Sequence, residues 1–205
     1  MKERNIIIVS KVLSVLFNPF YLPVVGILAL FFFSYLMMLP LLYKIMIILL
    51  VLVFTILLPG LLIRMYHRYE GWTFFDLYPK ERRMIPYIIS IACYFVCYYI
   101  MRMMHVPHFM GSIVVTALAI QVICAIVNHW WKISTHTAGI GGVGGALMAF
   151  GSLFNFNPVW WLCIVVLIGG AVGTSRMMMR QHTLSDVTGG FVIGMVTAFV
   201  TVLVV

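Results

Sequence analysis

Charge is what this chain has least of. Only 9% of its 205 residues are charged, and just five are acidic. A soluble domain carries roughly a quarter charged residues, so a water-solvated globule is excluded. Cysteine is also sparse. Cys93, Cys97, Cys124 and Cys163 all fall inside apolar segments, with no CxxC and no Cys/His ligand spacing. That pattern argues against a disulfide framework and offers no metal site; the thiols read as buried, free and effectively apolar. The alternating pattern of a membrane β-barrel is missing too. A cleavable leader is not expected, because Lys11 interrupts the first apolar run and no small-residue cleavage site follows.

What the chain has instead is hydrophobicity: 64% of its residues are hydrophobic and 15% are aromatic, with a mean hydropathy of +1.12. A bilayer core about 30 Å thick is spanned by about 20 apolar residues in a helix. Backbone in lipid must satisfy its own hydrogen bonds, so such runs fold as helices. The expected fold class is therefore all-α: a polytopic transmembrane helix bundle of six to seven spans plus a short N-terminal interfacial helix. Candidate spans run over 20–38, 41–65, 84–104, 110–131, 137–154, 158–176 and 186–205. Residues 1–19 read as an interfacial segment, helical over 5–17 and broken by Asn18-Pro19 and Pro23. Leu39-Pro40 makes a tight hairpin, and the one substantial loop is the basic stretch 66–83. No repeat, linker or low-complexity stretch divides the chain, so residues 1–205 read as a single integral membrane domain.

Alternation of the spans sorts the connections onto two faces. One face receives the N-terminus, the 66–83 loop, the region around Lys132 to His136 and the 176–186 loop. The other receives Pro40, the His105 to His108 turn and Asn155 to Pro158. The fifth, sixth and seventh spans are rich in glycine, including Gly139, Gly141, Gly142, Gly144 and Gly145 in the fifth. In lipid such residues let helix backbones approach closely, so the elements flanking the shared face are expected to pack tightly.

That face carries the chemistry. Ser175-Arg176-x5-His182-x3-Asp186 lies between two strongly apolar spans, where titratable groups are costly and mark a functional site by default. Four residues separate His182 from Asp186, which stacks them on one face if that stretch is helical. Asp186 could then fix the tautomer of His182 and leave the other ring nitrogen free as a nucleophile or base. Arg176 offers a fork of donors suited to phosphate oxygens. Ser134 and the start of the following helix add neutral donors, and His136 can act as a general acid. Lys80, Arg82 and Arg83 bring further positive charge. Phosphoryl transfer needs little more than such positioning and charge.

The residues Ser175-Arg176-x5-His182-x3-Asp186 match the third signature, SR-x5-H-x3-D, of the type 2 phosphatidic acid phosphatase superfamily. Ser134-Thr135-His136-Thr137 resembles the second signature, PSGH, with Ile133 where proline is usual and Thr135 where glycine is usual. The first signature, K-x6-RP, is not cleanly present. Its nearest segment is Lys80-Glu81-Arg82-Arg83-Met84-Ile85-Pro86, with the lysine too close to the proline and Ile85 in place of the arginine. The resemblance covers about the C-terminal two-thirds, with a catalytic region over 80–205. It implies a phosphatase without metal or cofactor. His182 would attack phosphorus and form a phosphohistidine, Asp186 would orient it and His136 would protonate the leaving group. Arg176, Ser134, Lys80, Arg82 and Arg83 would hold the phosphate. The same site is shared with vanadium-dependent haloperoxidases. So small a membrane bundle points to a lipid phosphate or an isoprenoid diphosphate as substrate.

Plainer readings exist for each residue alone. Arg176 and Arg180 suit snorkelling to headgroups, Lys80 to Arg83 suit a positive-inside flank, and His129 with Trp130 and Trp131 suits an aromatic belt. They would have to coincide on one face at the right spacing. A second function class is a non-catalytic lipid-phosphate binder or scaffold with a degenerate site. A transporter is weaker, since paired broken helices and mid-span carboxylates are missing. The net charge of +8 fits attraction to anionic headgroups, and no nucleic-acid partner is expected because the aromatics lie within spans. The expected location is a bacterial inner (cytoplasmic) membrane. Of the 13 Lys and Arg, only Lys44 and Arg102 fall on the far face, which puts the site on the cytoplasmic side by the positive-inside bias. The family resemblance pulls the other way, as many members face outward.

Overall fold

The computed structural model describes residues 3–33, 35–69 and 80–205, without the side chains of 3–7, 33, 35, 37 and 80–83. Among the described residues there is no strand. The helices are α1 (Glu3–Leu16), α2 (Leu22–Phe33), α3 (Leu41–Leu52), α4 (Leu58–Tyr69), α5 (Lys80–Met103), α6 (His108–Val127), α7 (Thr135–Phe154), α8 (Val159–Met178) and α9 (Leu184–Val204). A π-helical turn, Val53–Leu57, joins α3 and α4 into one span, Leu41–Tyr69. Pro59 has no N–H to offer the carbonyl of Thr55, and local widening of the helix is a usual response to such a gap.

Among the described residues six helices are long and apolar enough to cross a membrane: the α3–α4 span, Met84–Met103 of α5, and α6 to α9. The all-α polytopic bundle expected from the sequence is what forms. Two boundaries differ. The first candidate span, 20–38, is not one helix. α2 ends at Phe33, and Tyr35–Met38 is a 3₁₀ turn. At 1.5 Å per residue, α2's 12 residues reach about 18 Å, short of a 30 Å core. The basic loop is also shorter than expected: Tyr66 to Tyr69 and Lys80 to Arg83 are helical, and only 70–79 fall outside the described residues.

Large apolar side chains such as Phe32, Leu42, Leu61, Trp160 and Leu167 are exposed along the spans, the surface a lipid solvent favours. Inside, one core joins α2, α3, α5 and α6 through Ile27, Ile47, Val51, Met101, Met110 and Val114. The other half is built on the α7–α9 pair, the most extensive helix contact in the bundle. Here Gly141 and Gly145 face the backbone of Phe191 and Met195, and Gly194 faces the carbonyl of Ala138. Any side chain at these positions would hold the helices apart. The four cysteines are free. Cys93, Cys97 and Cys124 are buried, but Cys163 is exposed on α8 rather than buried as its apolar setting implied.

Helix α1 lies against α8. Phe17, just past its end, packs with Ile140, Val165, Val172 and Phe191. The outward face of α1 is apolar (Ile8, Val9, Val12, Val15 and Leu16), whereas Ser10 and Ser14 are turned inward and buried. An apolar outer face is what an interfacial helix presents to lipid.

Candidate active site

Arg176 and Asp186 occupy matching places at the two ends of a helix–turn–helix. Arg176 is in the last turn of α8. The chain leaves the helix through a Schellman turn, with Arg180 N donating to Met177 O at 2.9 Å and Gln181 N to Arg176 O at 3.2 Å. Arg180 takes the left-handed conformation this turn demands, at φ 53°. Thr183 then caps α9 in a capping box: Asp186 N donates to Thr183 Oγ1 at 3.3 Å, and Thr183 N donates to Asp186 Oδ2 at 2.8 Å. The spacing of the motif is the length of this turn.

His182 therefore sits before the N-cap and is not helical. The stacking of His182 over Asp186 on one helical face does not form. The turn still brings them close, with His182 Nδ1 3.8 Å from Asp186 Oδ2. That is an ion-pair distance and too long for a hydrogen bond.

The second element arrives from the α6–α7 connection. Ser134 N donates to the carbonyl of Asp186 at 3.1 Å, which ties the start of α7 to the start of α9. Thr137 Oγ1 donates to the carbonyl of Ser134 at 3.0 Å. Gly190 is what allows this approach: a Cβ there would meet Ser134 O at 2.6 Å and Thr137 Oγ1 at 2.8 Å. Ser134 is fully buried and occupies the N-cap of α7, yet its hydroxyl makes no capping bond.

Of the seven buried polar side-chain atoms without a hydrogen-bond partner among the described residues, four belong to these elements: Ser134 Oγ, His136 Nδ1, Arg176 Nε and His182 Nδ1. Buried polar groups are nearly always paired, so such a group of orphans needs a reason. The two imidazoles and the Arg176 guanidinium are close enough to interact electrostatically. Burial first, then the positive charges of Arg176 and Lys132, push the pKa of His182 down to about 4; Asp186 and the Lys132 backbone oppose them only in part. At neutral pH the imidazole is neutral, the form with a free lone pair. No trio of His, Cys, Asp or Glu able to hold a metal occurs among the described residues.

Of the residues singled out from sequence, Ser134, His136, Arg176, His182 and Asp186 thus meet in one place. Lys80, Arg82 and Arg83 lie in the first turn of α5, with side chains outside the described residues. Tyr87, further along the same helix, packs on Ile133, Ala138 and Cys124. Two contributors escaped the sequence reading. Trp131 donates its indole Nε1–H to Asp186 Oδ1 at 2.8 Å, so it serves the site rather than only an aromatic belt. Ser14 accepts a hydrogen bond from Arg176 Nη1 at 2.8 Å. The signal for Ser14 was visible as two serines, Ser10 and Ser14, one turn apart in an otherwise apolar helix.

Residues 128–205 match the PAP2 superfamily. The matched stretch takes in α7, α8 and α9 with both motifs, and the chain is consistent with a PAP2 superfamily membrane protein. The match begins at Asn128, so α1 and the basic start of α5 lie outside the PAP2 region. No curated protein and no solved structure matches the chain significantly.

Proposed function

We propose that this protein is a membrane-embedded phosphatase that hydrolyses a phosphomonoester or diphosphate on a lipid or isoprenoid headgroup. The observation that carries the reading is the group of buried, unpartnered atoms on Ser134, His136, Arg176 and His182. They are donors and a nucleophile grouped on one side of a PAP2 region, which is what a phosphate group needs. His182, neutral at physiological pH, attacks phosphorus with a ring-nitrogen lone pair. The bond to the leaving oxygen breaks, and His136 supplies the proton that oxygen takes up. Arg176 and Ser134 donate to the equatorial oxygens, where charge is spread in the transition state. The carboxylate of Asp186 stabilises the positive charge on the phosphohistidine imidazole. Water then attacks phosphorus, its proton passes to His136, and the P–N bond breaks to release inorganic phosphate and free His182.

The membrane spans restrict the substrate class. With little mass outside the helices, the site is reached most directly by an amphiphile already in the bilayer. The balance of Lys and Arg supports a site facing the cytoplasm.

Purified protein assayed for phosphate release from a panel of lipid phosphates and isoprenoid diphosphates, beside His182→Ala, tests the reading. Release by the wild type and none by the variant is expected. No release from any substrate would leave a non-catalytic lipid-phosphate binder, and equal release by His182→Ala would overturn catalysis through His182.

A further inference from the structure

The grip on Arg176 comes from outside the PAP2 region. Arg176 Nη1 donates to Ser14 Oγ across 162 residues of sequence. Ser14 is only 9% exposed, and its backbone also reaches the His136 imidazole. It therefore stands between the guanidinium and the general-acid candidate.

The state of its hydroxyl hydrogen is the telling point. Helical Ser and Thr commonly return that hydrogen to the carbonyl four residues back. Ser90, Ser175 and Thr201 do so here, to Pro86, Ala171 and Thr197. Ser14 is bonded differently: its oxygen accepts from Arg176 Nη1, which leaves its hydroxyl hydrogen to serve as a donor. The helix also turns its serines inward and its valines outward, so the hydroxyl is delivered to the site against the usual polarity of a surface helix. In the same site, Arg176 Nε and Ser134 Oγ have no hydrogen-bond partner among the described residues.

We propose that Ser14, carried on α1, is a phosphate-binding residue of this site: its oxygen orients Arg176 while its hydroxyl hydrogen is donated to a phosphate oxygen. Resting on the phosphatase reading above, this makes α1 a part of the phosphate pocket. A phosphate oxygen bound there accepts from both Arg176 and Ser14.

The test uses orthovanadate, a phosphate mimic, and reads its affinity from the thermal stabilisation of the full-length protein in detergent. Ser14→Ala is expected to weaken vanadate about tenfold or more, the usual size for a lost hydrogen bond to a charged group. Ser14→Thr, which keeps the hydroxyl, restores binding, and Ser14→Val, which replaces it with a methyl, does not. Should Ser14→Ala fail to fold, the Thr/Val pair carries the comparison. Ser10→Ala, on the same face but bonded to Met178 Sδ, leaves affinity unchanged and controls for the docking of α1. On a hydrolysed lipid phosphate, Ser14→Ala raises KM more than it lowers kcat. Equal vanadate affinity in Ser14→Ala and wild type, or no vanadate binding by the wild type, overturns the proposal. If binding depends on Ser14 but nothing is hydrolysed, the Ser14 site stands and the phosphatase reading falls.

Discussion

Trp131 holds Asp186 through a 2.8 Å hydrogen bond from its indole Nε1–H to Oδ1, across 55 residues of sequence. Thr183 N holds the other oxygen, Oδ2, at 2.8 Å. Both carboxylate oxygens are thus engaged before His182 is considered, which accounts for the 3.8 Å gap between Asp186 and the imidazole. Asp186 acts on His182 as an anchored negative charge, and Trp131 fixes where that charge sits. The Gly189 backbone leaves the room: a Cβ there would strike the Trp131 ring.

Trp131→Phe keeps the ring and removes the N–H. The cost of losing a hydrogen bond to a carboxylate is about 1.5–3 kcal/mol. Turnover is expected to fall by roughly tenfold to a hundredfold at each such loss if the charge shifts away from His182. KM should change little, since the Trp131 N–H is committed to Asp186. Steady-state kinetics on the purified variant check this; a change confined to KM would remove Trp131 from the positioning of Asp186.

The neutral state of His182 can be measured without a substrate. Its pKa lies at about 4, pushed down by burial and by Arg176 and Lys132, against about 6.5 for an unperturbed histidine. Because the folded value is the lower one, the imidazole stays neutral as pH falls through 6.5 and protonates only near 4. Modification of His182 by diethyl pyrocarbonate, read by mass spectrometry, tracks the neutral form. Its midpoint should lie near pH 4. A midpoint near 6.5 would show that burial and the neighbouring cations do not govern this group. The same shift links to stability: below pH 6.5 the unfolded chain binds a proton that the folded state refuses, so His182 destabilises the fold progressively as pH falls from 6.5 to 4.

Much of this site was legible as local pattern. The hydrophobic runs gave the spans, their alternation put both motifs on one face, and Ser175 to Asp186 carried its own spacing. Helix ends were harder. His182 and Asp186, four apart, suggested one helical face, but a Schellman turn at Arg180 and a cap at Thr183 intervene. Four residues across a helix start are not four residues along a helix. The partners of Ser14 and Trp131 could not be found by spacing, because they are distant in sequence and only tertiary packing joins them. The length of α2 was misjudged for a related reason: residues 34–38 are as apolar as a helix, and hydropathy does not record a 3₁₀ turn.

Orientation follows from charge rather than geometry. With the native cysteines replaced by alanine, Arg68→Cys places one exposed thiol near the end of α4, on the face assigned to the site. A cytoplasmic site means that this thiol is shielded from impermeant maleimides in intact cells and labels after lysis. Ready labelling in intact cells reverses the orientation.

Two glycines separate close packing from mere composition. At Gly190 a Cβ would press on the Ser134 carbonyl at 2.6 Å and on Thr137 Oγ1 at 2.8 Å, both fixed parts of the α7 start. Gly190→Ala must push α9 away from Ser134, breaking the 3.1 Å bond from Ser134 N to the Asp186 carbonyl and misplacing the site. It is expected to lower the melting temperature by several degrees and to abolish phosphate release. At Gly170 on α8 nothing lies within 4 Å of a new Cβ. Gly170→Ala should fold and turn over as the wild type does, with a helix-propensity gain of up to about 1 kcal/mol. Differential scanning fluorimetry and phosphate release on the two variants decide it. If Gly190→Ala is as harmless as Gly170→Ala, the close approach of α9 to Ser134 is not what holds these residues together.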